Sequence, residues 1–198
     1  LPNWFSFPII ADLLKSEMSA NGKTGLCIYF VGLSGSGKST IANYLINKLN
    51  ELSNSRITYL DGDIVRRHLS KGLGFSKEDR SMNVRRIGYV CSEVVKHGGT
   101  VIAANIAPYE EDREYNRKIV SGNGNYVEVY VNTSLDNCIN RDVKGLYKLA
   151  IEGKIKQFTG ISDPFEEPKN AEIVLDGAST IDDSLNTVIE YLKTNNLI

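Results

Sequence analysis

The chain has 198 residues, of which 41% are hydrophobic and 24% are charged, and its formal net charge is −1. This length and composition are typical of one globular domain that folds without disulfide bonds or structural metals. The small net charge excludes a protein that binds nucleic acid through bulk positive charge, and no apolar run approaches the ~18 residues of a membrane-spanning helix. Three cysteines far apart in the sequence predict free thiols in a reducing, cytoplasmic compartment.

Residues 1–23 differ from the rest and are predicted to form an N-terminal lead-in arm without recognisable chemistry. The arm is rich in proline and aromatic residues, namely Pro2, Trp4, Phe5, Phe7 and Pro8. Because the chain begins with Leu1 and not with methionine, we expect the natural N-terminus to lie upstream. The folded domain is predicted to span residues 24–198.

Within residues 24–198, short apolar runs alternate with longer segments of helical period. This alternation is typical of an α/β domain, a three-layer sandwich around a parallel sheet. Five runs rich in Val, Ile and Tyr are predicted to be strands, at residues 26–31, 57–60, 100–104, 126–131 and 172–175. These runs are nearly unbroken by charge, which indicates strands that helices cover on both faces. A polar, glycine-containing segment at residues 144–168 is predicted to be a mobile excursion.

The motif that carries most information is GLSGSGKST at residues 32–40, which satisfies G-x-x-x-x-G-K-[ST]. It follows the first predicted strand and opens the first predicted helix, which is the context that a phosphate-binding loop requires. In such a loop, backbone N–H groups and the helix dipole attract phosphate, a lysine contacts the β- and γ-phosphates, and a hydroxyl can ligate Mg²⁺. We therefore predict that a nucleoside triphosphate binds here, with the contacts made by Gly32, Ser34, Gly35, Ser36, Gly37, Lys38, Ser39 and Thr40.

Two carboxylates, Asp61 and Asp63, follow the second predicted strand within the sequence DGDIVR. Ligands of open α/β sheets bind outside the carboxyl ends of the strands, so these side chains are placed to hold Mg²⁺ and to orient an attacking hydroxyl group. Arg66, about one helical turn later, is placed to face an anionic acceptor. The residues alone leave open a plainer interpretation, in which an aspartate caps a helix and the arginine is solvated.

The later motifs resemble a known family when they are taken in order. They are LGFS at 73–76, DR at 79–80, NVRRI at 83–87, IAPY at 106–109, DR at 112–113, NRDVKGLY at 140–147, FTGI at 158–161 and DPFE at 163–166. Together with the phosphate-binding loop and DGDIVR, they resemble adenylyl-sulfate kinases over residues 24–195. The resemblance implies a P-loop NTPase-type fold with a five-stranded sheet and a mobile lid at residues 144–168. It also implies transfer of the ATP γ-phosphate to the ribose 3′-hydroxyl of adenylyl sulfate, the second step of sulfate activation.

The resemblance further implies roles for individual residues. Asp63 and Lys38 would be catalytic, Ser39 and Asp61 would hold Mg²⁺, and Arg141 would lie near the ATP adenine. Adenylyl sulfate would be bound by Asp61, Asp63, Arg66, Phe75, Arg80, Asn83, Ile106, Ala107, Lys144, Leu146, Phe158 and Phe165. Within this set, Phe75 and Phe165 would sandwich the acceptor adenine, and Arg66, Arg80, Asn83 and Lys144 would hold its phosphosulfate and adenylate.

The chain departs from the family pattern at two positions. Many members carry serine where this chain has Ala107, so a phosphoserine cannot form here and transfer would be direct. Asn105 stands where phenylalanine is common, so the resemblance implies the reaction but not the details of that pocket wall.

The resemblance also implies a homodimer, and the lead-in arm resembles the segment found where such a kinase is fused behind an ATP sulfurylase domain. Two other functions would account for part of this pattern. A kinase for a nucleoside monophosphate or a sugar acid would share the phosphate-binding loop and the carboxylates, but it would not explain the later motifs. A regulatory domain that binds nucleotide without turnover would be expected to have lost Lys38, Asp63 or the lid, and all three are present.

Overall fold

The computed structural model describes residues 24–52 and 56–198, so the predicted lead-in arm lies outside the described residues. The described ranges contain five strands and seven helices. In chain order these are β1 Leu26–Val31, α1 Lys38–Leu52, β2 Ile57–Asp61, α2 Gly62–Arg67, α3 Lys77–Lys96, β3 Thr100–Ala104, α4 Glu110–Ser121, β4 Asn125–Asn132, α5 Leu135–Arg141, α6 Leu146–Ile151, β5 Ile173–Asp176 and α7 Ile181–Thr194. None of the helices in these ranges is long and apolar enough to cross a membrane.

The strands form one parallel sheet in the order β2-β3-β1-β4-β5, which confirms the predicted fold. Strand β1 lies at the centre, where Ile28 pairs with Ile102 of β3 and with Val127 of β4. From β1 the chain first crosses to the β2 edge and then moves in the opposite direction through the remaining strands. The carboxyl ends of β1 and β3 therefore flank a switch point, where ligands of such sheets bind.

Helices cover both faces of the sheet because the side chains of β1 alternate between two apolar layers. All six residues of β1 are buried. On one face, Ile28 and Phe30 pack against the apolar stripes of α1 and α7. On the other face, Cys27, Tyr29 and Val31 pack against α3 and α4. The central strand is thus held from both sides and gives a rigid base to the loop that follows it.

The predicted strands agree with the observed ones to within one residue at each end. The predicted excursion at residues 144–168 includes a short helix, and its predicted mobility stays a prediction. The segment contains α6 and contributes Tyr147, Phe158 and Ile161 to a small third apolar cluster with Leu33 and Cys138.

Candidate active site

The phosphate-binding loop follows β1 and is shaped by glycines with positive φ. At Gly32, φ is 144°, and a Cβ atom would lie 2.7 Å from the carbonyl oxygen of Val131 on β4. Gly35 and Gly37 have φ values of 74° and 107°, which glycine adopts without strain. The loop can therefore fold tightly against the sheet only with glycine at these positions.

Three side chains hold carbonyl groups of this loop. The Lys38 ammonium donates to Leu33 O at 2.6 Å, the Thr133 hydroxyl donates to Ser36 O at 3.0 Å, and the Tyr147 hydroxyl donates to Ser34 O at 2.9 Å. These bonds fix the orientation of the peptide units around the phosphate site. Sequence reasoning missed Thr133 and Tyr147, although Tyr147 belongs to the NRDVKGLY motif.

Lys38 is a buried cation, with 8% of its surface exposed. Burial lowers the pKa of Lys38 from 10.5 to about 8, since the ammonium group loses hydration. Lys144 lowers the pKa further, whereas Asp61 and Asp63 raise it. A phosphate beside Lys38 would stabilise the charged form by direct attraction.

Asp61 ends β2 and caps α2, which brings its carboxylate next to the phosphate-binding loop. It accepts hydrogen bonds from the Asp63 N–H at 2.9 Å and from the Ser39 hydroxyl at 2.8 Å. Burial acts to raise the pKa of Asp61, but the hydrogen bonds from Ser39 and from the N–H groups of Asp63 and Ile64 outweigh it and lower the pKa. The carboxylate is therefore ionised at neutral pH.

The Ser39 and Asp61 oxygen atoms are spaced to fit Mg²⁺. Neighbouring ligands of an octahedral Mg²⁺ ion, each about 2.1 Å from the metal, lie about 3.0 Å apart. The Ser39–Asp61 distance of 2.8 Å, which is that of a hydrogen bond between them, is close to this value. Within residues 24–52 and 56–198, no group of three or more His, Cys, Asp or Glu side chains could hold a metal. Such a site would be completed by water and substrate phosphate, as is usual for Mg²⁺.

Asp63 lies in the first turn of α2, where it forms an ion pair with Lys144 from the segment before α6. The two side chains are 58% and 52% exposed. Exposed pairs contribute only about 0–1 kcal/mol, so a ligand can separate these charges at little cost.

Arg80 of α3 binds the lid segment more extensively than the sequence suggested. Its guanidinium donates to the Asp163 carboxylate at 2.5 Å, to Gln157 O at 2.9 Å and to the Thr159 hydroxyl at 3.0 Å. It also donates to the Tyr109 hydroxyl at 2.8 Å, and Arg80 is only 6% exposed. The predicted contact of Arg80 with the acceptor stays a prediction.

The two aromatic residues of the predicted adenine sandwich lie in different surroundings. Phe75 is 61% exposed and carries the Arg66 guanidinium 4.6 Å from its ring centroid. Phe165 is half-buried and stacks on Tyr130 with centroids 6.0 Å apart. Among the described residues no ring contact joins Phe75 to Phe165, so the sandwich stays a prediction.

The loop after β3 lies directly beside the phosphate-binding loop. Ile106 O accepts a hydrogen bond from the Gly32 N–H at 3.4 Å. Ala107 has a φ of 42°, and its carbonyl oxygen accepts from the Arg113 guanidinium at 2.8 Å. On α3, the amide oxygen of the buried Asn83 has no hydrogen-bond partner in the structure. The predicted contacts of Ile106, Ala107 and Asn83 with the acceptor stay predictions.

Two cavities flank the loop. One of about 210 Å³ is lined by Thr40, Arg141, Gly177 and neighbouring residues, and Arg141 donates to Gly177 O at 2.9 Å. The prediction that Arg141 lies near the ATP adenine stays a prediction. Gly177 has no sequence signal beyond its place after the last strand. A larger cavity of about 510 Å³ lies between Leu33 and residues 160–165. Neither Lys38 nor Asp63, the two predicted catalytic residues, lines it. Leu146 and Phe158 are half-buried and do not line this cavity, so their predicted contacts with the acceptor stay predictions.

Several known proteins are similar to this chain over most of its length. The family model described as "Adenylylsulphate kinase" matches residues 24–176. The chain is 49% identical to the adenylyl-sulfate kinase of Gloeothece citriformis over 169 residues, which cover 85% of this chain and 94% of the relative. It is 40% identical to the sulfate adenylyltransferase of Aspergillus oryzae, covering 98% of this chain but only 34% of that protein.

Among solved structures, the chain is similar to the Mycobacterium tuberculosis APS kinase CysC in complex with AMPPNP and APS. The TM-score is 0.82 at 38% identity, and the match covers 86% of this chain and 98% of that one. With the family model matching most of the described residues, the chain belongs to the adenylylsulphate kinase family.

Proposed function

We propose that this chain transfers the γ-phosphate of ATP to the ribose 3′-hydroxyl of adenylyl sulfate, giving 3′-phosphoadenylyl sulfate and ADP. The observation that carries the proposal is the Asp61–Asp63 pair at the end of β2, beside a complete phosphate-binding loop. The similar M. tuberculosis enzyme, which was solved with an ATP analogue and APS, supports both the nucleotide and the acceptor.

Phosphoryl transfer passes through a loose transition state, so positioning and charge matter more than a strong base. The phosphate-binding loop would hold the β- and γ-phosphates, with Lys38 supplying positive charge. Mg²⁺, held by Ser39 and Asp61, would neutralise negative charge on the phosphates. Asp63 would orient the 3′-hydroxyl and accept its proton as the new O–P bond forms and the bond to the β-phosphate oxygen breaks. Ala107 has no hydroxyl group, which favours direct in-line transfer.

The acceptor is tested by ADP release with Mg·ATP and adenylyl sulfate, compared with AMP, gluconate and buffer alone. Turnover with adenylyl sulfate only is the expected result. Asp63→Asn protein, purified in the same way, controls for contaminating kinases. If adenylyl sulfate and ATP bind but no acceptor is phosphorylated, the proposal is wrong and a regulatory nucleotide-binding domain is favoured.

The assembly of the protein stays a prediction. We propose a homodimer, a mobile lid at residues 144–168 and a cytoplasmic location, the last supported by three free, buried cysteines. The chain spans about a third of the fungal sulfate adenylyltransferase but nearly all of the cyanobacterial kinase, so fusion to a sulfurylase domain also remains a proposal. Light scattering of the purified chain tests the homodimer.

A further inference from the structure

Tyr147 lies in the first turn of α6 and is 1% exposed. The Asp142 carboxylate fixes the start of this helix, since it accepts from the N–H groups of Tyr147 and Lys148, both at 3.0 Å. The Tyr147 hydroxyl then reaches the phosphate-binding loop and donates to Ser34 O at 2.9 Å. Burial raises the pKa of Tyr147, so the hydroxyl keeps its proton. A residue of the predicted lid therefore holds the loop expected to bind ATP.

The ring of Tyr147 has a second contact, which leads to the acceptor side. It meets Phe158 edge to face, with centroids 5.0 Å apart and an interplanar angle of 77°. The residues on either side of Phe158 are Gln157 and Thr159, and both accept hydrogen bonds from Arg80. A continuous series of contacts thus runs from Ser34 through Tyr147 and Phe158 to Arg80.

We propose that Tyr147 is a positioning residue that couples ATP binding to adenylyl-sulfate binding through these two contacts. The inference rests on the proposed function, because that function assigns the two ends of the series to different ligands. ATP bound at the Ser34 end would favour the lid position that adenylyl sulfate needs at the Arg80 end. The coupling is reciprocal, so adenylyl sulfate would favour ATP binding by the same factor. A residue that only stabilised the fold would change both affinities without changing their dependence on each other.

The test measures the affinity of the full chain for a non-hydrolysable ATP analogue with Mg²⁺, by calorimetry, with and without saturating adenylyl sulfate. The ratio of the two dissociation constants is the coupling factor. In the unmodified protein we expect tighter binding of the analogue when the acceptor is present. Tyr147→Phe removes one buried hydrogen bond and keeps the ring, so we expect the ratio to fall by about fivefold toward one.

Thr133→Val is the matched control, because Thr133 donates to Ser36 O of the same loop from the β4 side. We expect weaker analogue binding and an unchanged ratio. Phe158→Leu disrupts the other contact of Tyr147 and is expected to lower the ratio as well, which keeps the test decisive if Tyr147→Phe folds poorly.

Three results would overturn the coupling: a ratio of one in the unmodified protein, an unchanged ratio in both lid variants, or an equal loss in Thr133→Val. Absence of turnover with adenylyl sulfate in the unmodified protein would instead count against the proposed function. Turnover with an unchanged ratio in both lid variants would leave that function intact and refute only the role of Tyr147.

Discussion

Raising the pH from 7 to 9 is expected to weaken binding of an ATP analogue by about tenfold, because Lys38 loses its proton in the free enzyme. Burial sets this behaviour by lowering the pKa of Lys38 to about 8. Roughly nine tenths of the lysine is then protonated at pH 7 and roughly one tenth at pH 9, and the ratio of these fractions gives the tenfold loss.

The sign of the effect follows from the charge of the ligand. Phosphate favours the ammonium form, so the pKa of Lys38 is higher in the complex than in the free enzyme. Affinity therefore changes little below about pH 7, begins to fall as the pH passes the free-enzyme pKa, and continues to fall up to the pKa of the complex, while binding takes up a proton. Burial raises the pKa of Tyr59 to about 12 and also raises that of the Cys138 thiol, which moves both groups away from the midpoint of the Lys38 titration.

Calorimetry at pH 7 and pH 9, in two buffers with different heats of ionisation, measures both the affinity and the proton uptake. Lys38→Met is the control, for which we expect weaker binding that does not change with pH. The reasoning fails if the unmodified protein binds equally well at both pH values without proton uptake. It also fails if Lys38→Met shows the same pH dependence.

Three further substitutions test separate parts of the site. Asp63→Asn is expected to abolish turnover, because Asp63 is proposed to orient the 3′-hydroxyl of adenylyl sulfate, while the affinity for the ATP analogue stays within about threefold. Activity near the unmodified level would contradict that role. Phe165→Ala is expected to raise the KM for adenylyl sulfate about tenfold or more, because base stacking contributes about 1–3 kcal/mol. The KM for ATP is expected to stay nearly unchanged. Equal effects on both KM values would indicate a structural residue. Gly32→Ala is expected to lower stability by about 1–3 kcal/mol in thermal or denaturant unfolding, through positive φ and the clash with Val131 O. Gly37→Ala has positive φ but no atom within 4 Å, so a loss as large as that of Gly32→Ala would refute the clash.

The strands and the phosphate-binding loop could be predicted because their signals are local. The central strand is apolar throughout, and the glycines and Lys38 follow it at fixed spacing. Asp61 could be placed beside the loop because the carboxyl ends of parallel strands share one edge of the sheet. Each of these inferences needs only the sequence near one strand and the rule for the fold.

The contacts of Arg80 and Tyr147 could not be predicted in the same way. Arg80 reaches Gln157 across 77 positions of the chain, and Tyr147 reaches Ser34 across 113. Neither contact leaves a period or spacing in the sequence, because each depends on how the lid packs on the sheet. The motif resemblance marked both regions but gave no role to the Tyr147 hydroxyl.

Three cations near the site, Lys38, Lys144 and Arg80, differ in their burial and in their partners. These differences decide which of them can change partner when a ligand binds. Lys144 is half-exposed in its pair with Asp63, so a substrate anion can replace that carboxylate at little cost. Lys38 is buried on a neutral carbonyl oxygen, and a phosphate is a better partner for its charge. Arg80 is 7% exposed in its pair with Asp163, and leaving such a buried charge unpaired costs about 3–5 kcal/mol. Lys38 and Lys144 are therefore the cations suited to change partner when the phosphates bind, whereas Arg80 is suited to keep its contacts with the lid segment while that segment meets the acceptor.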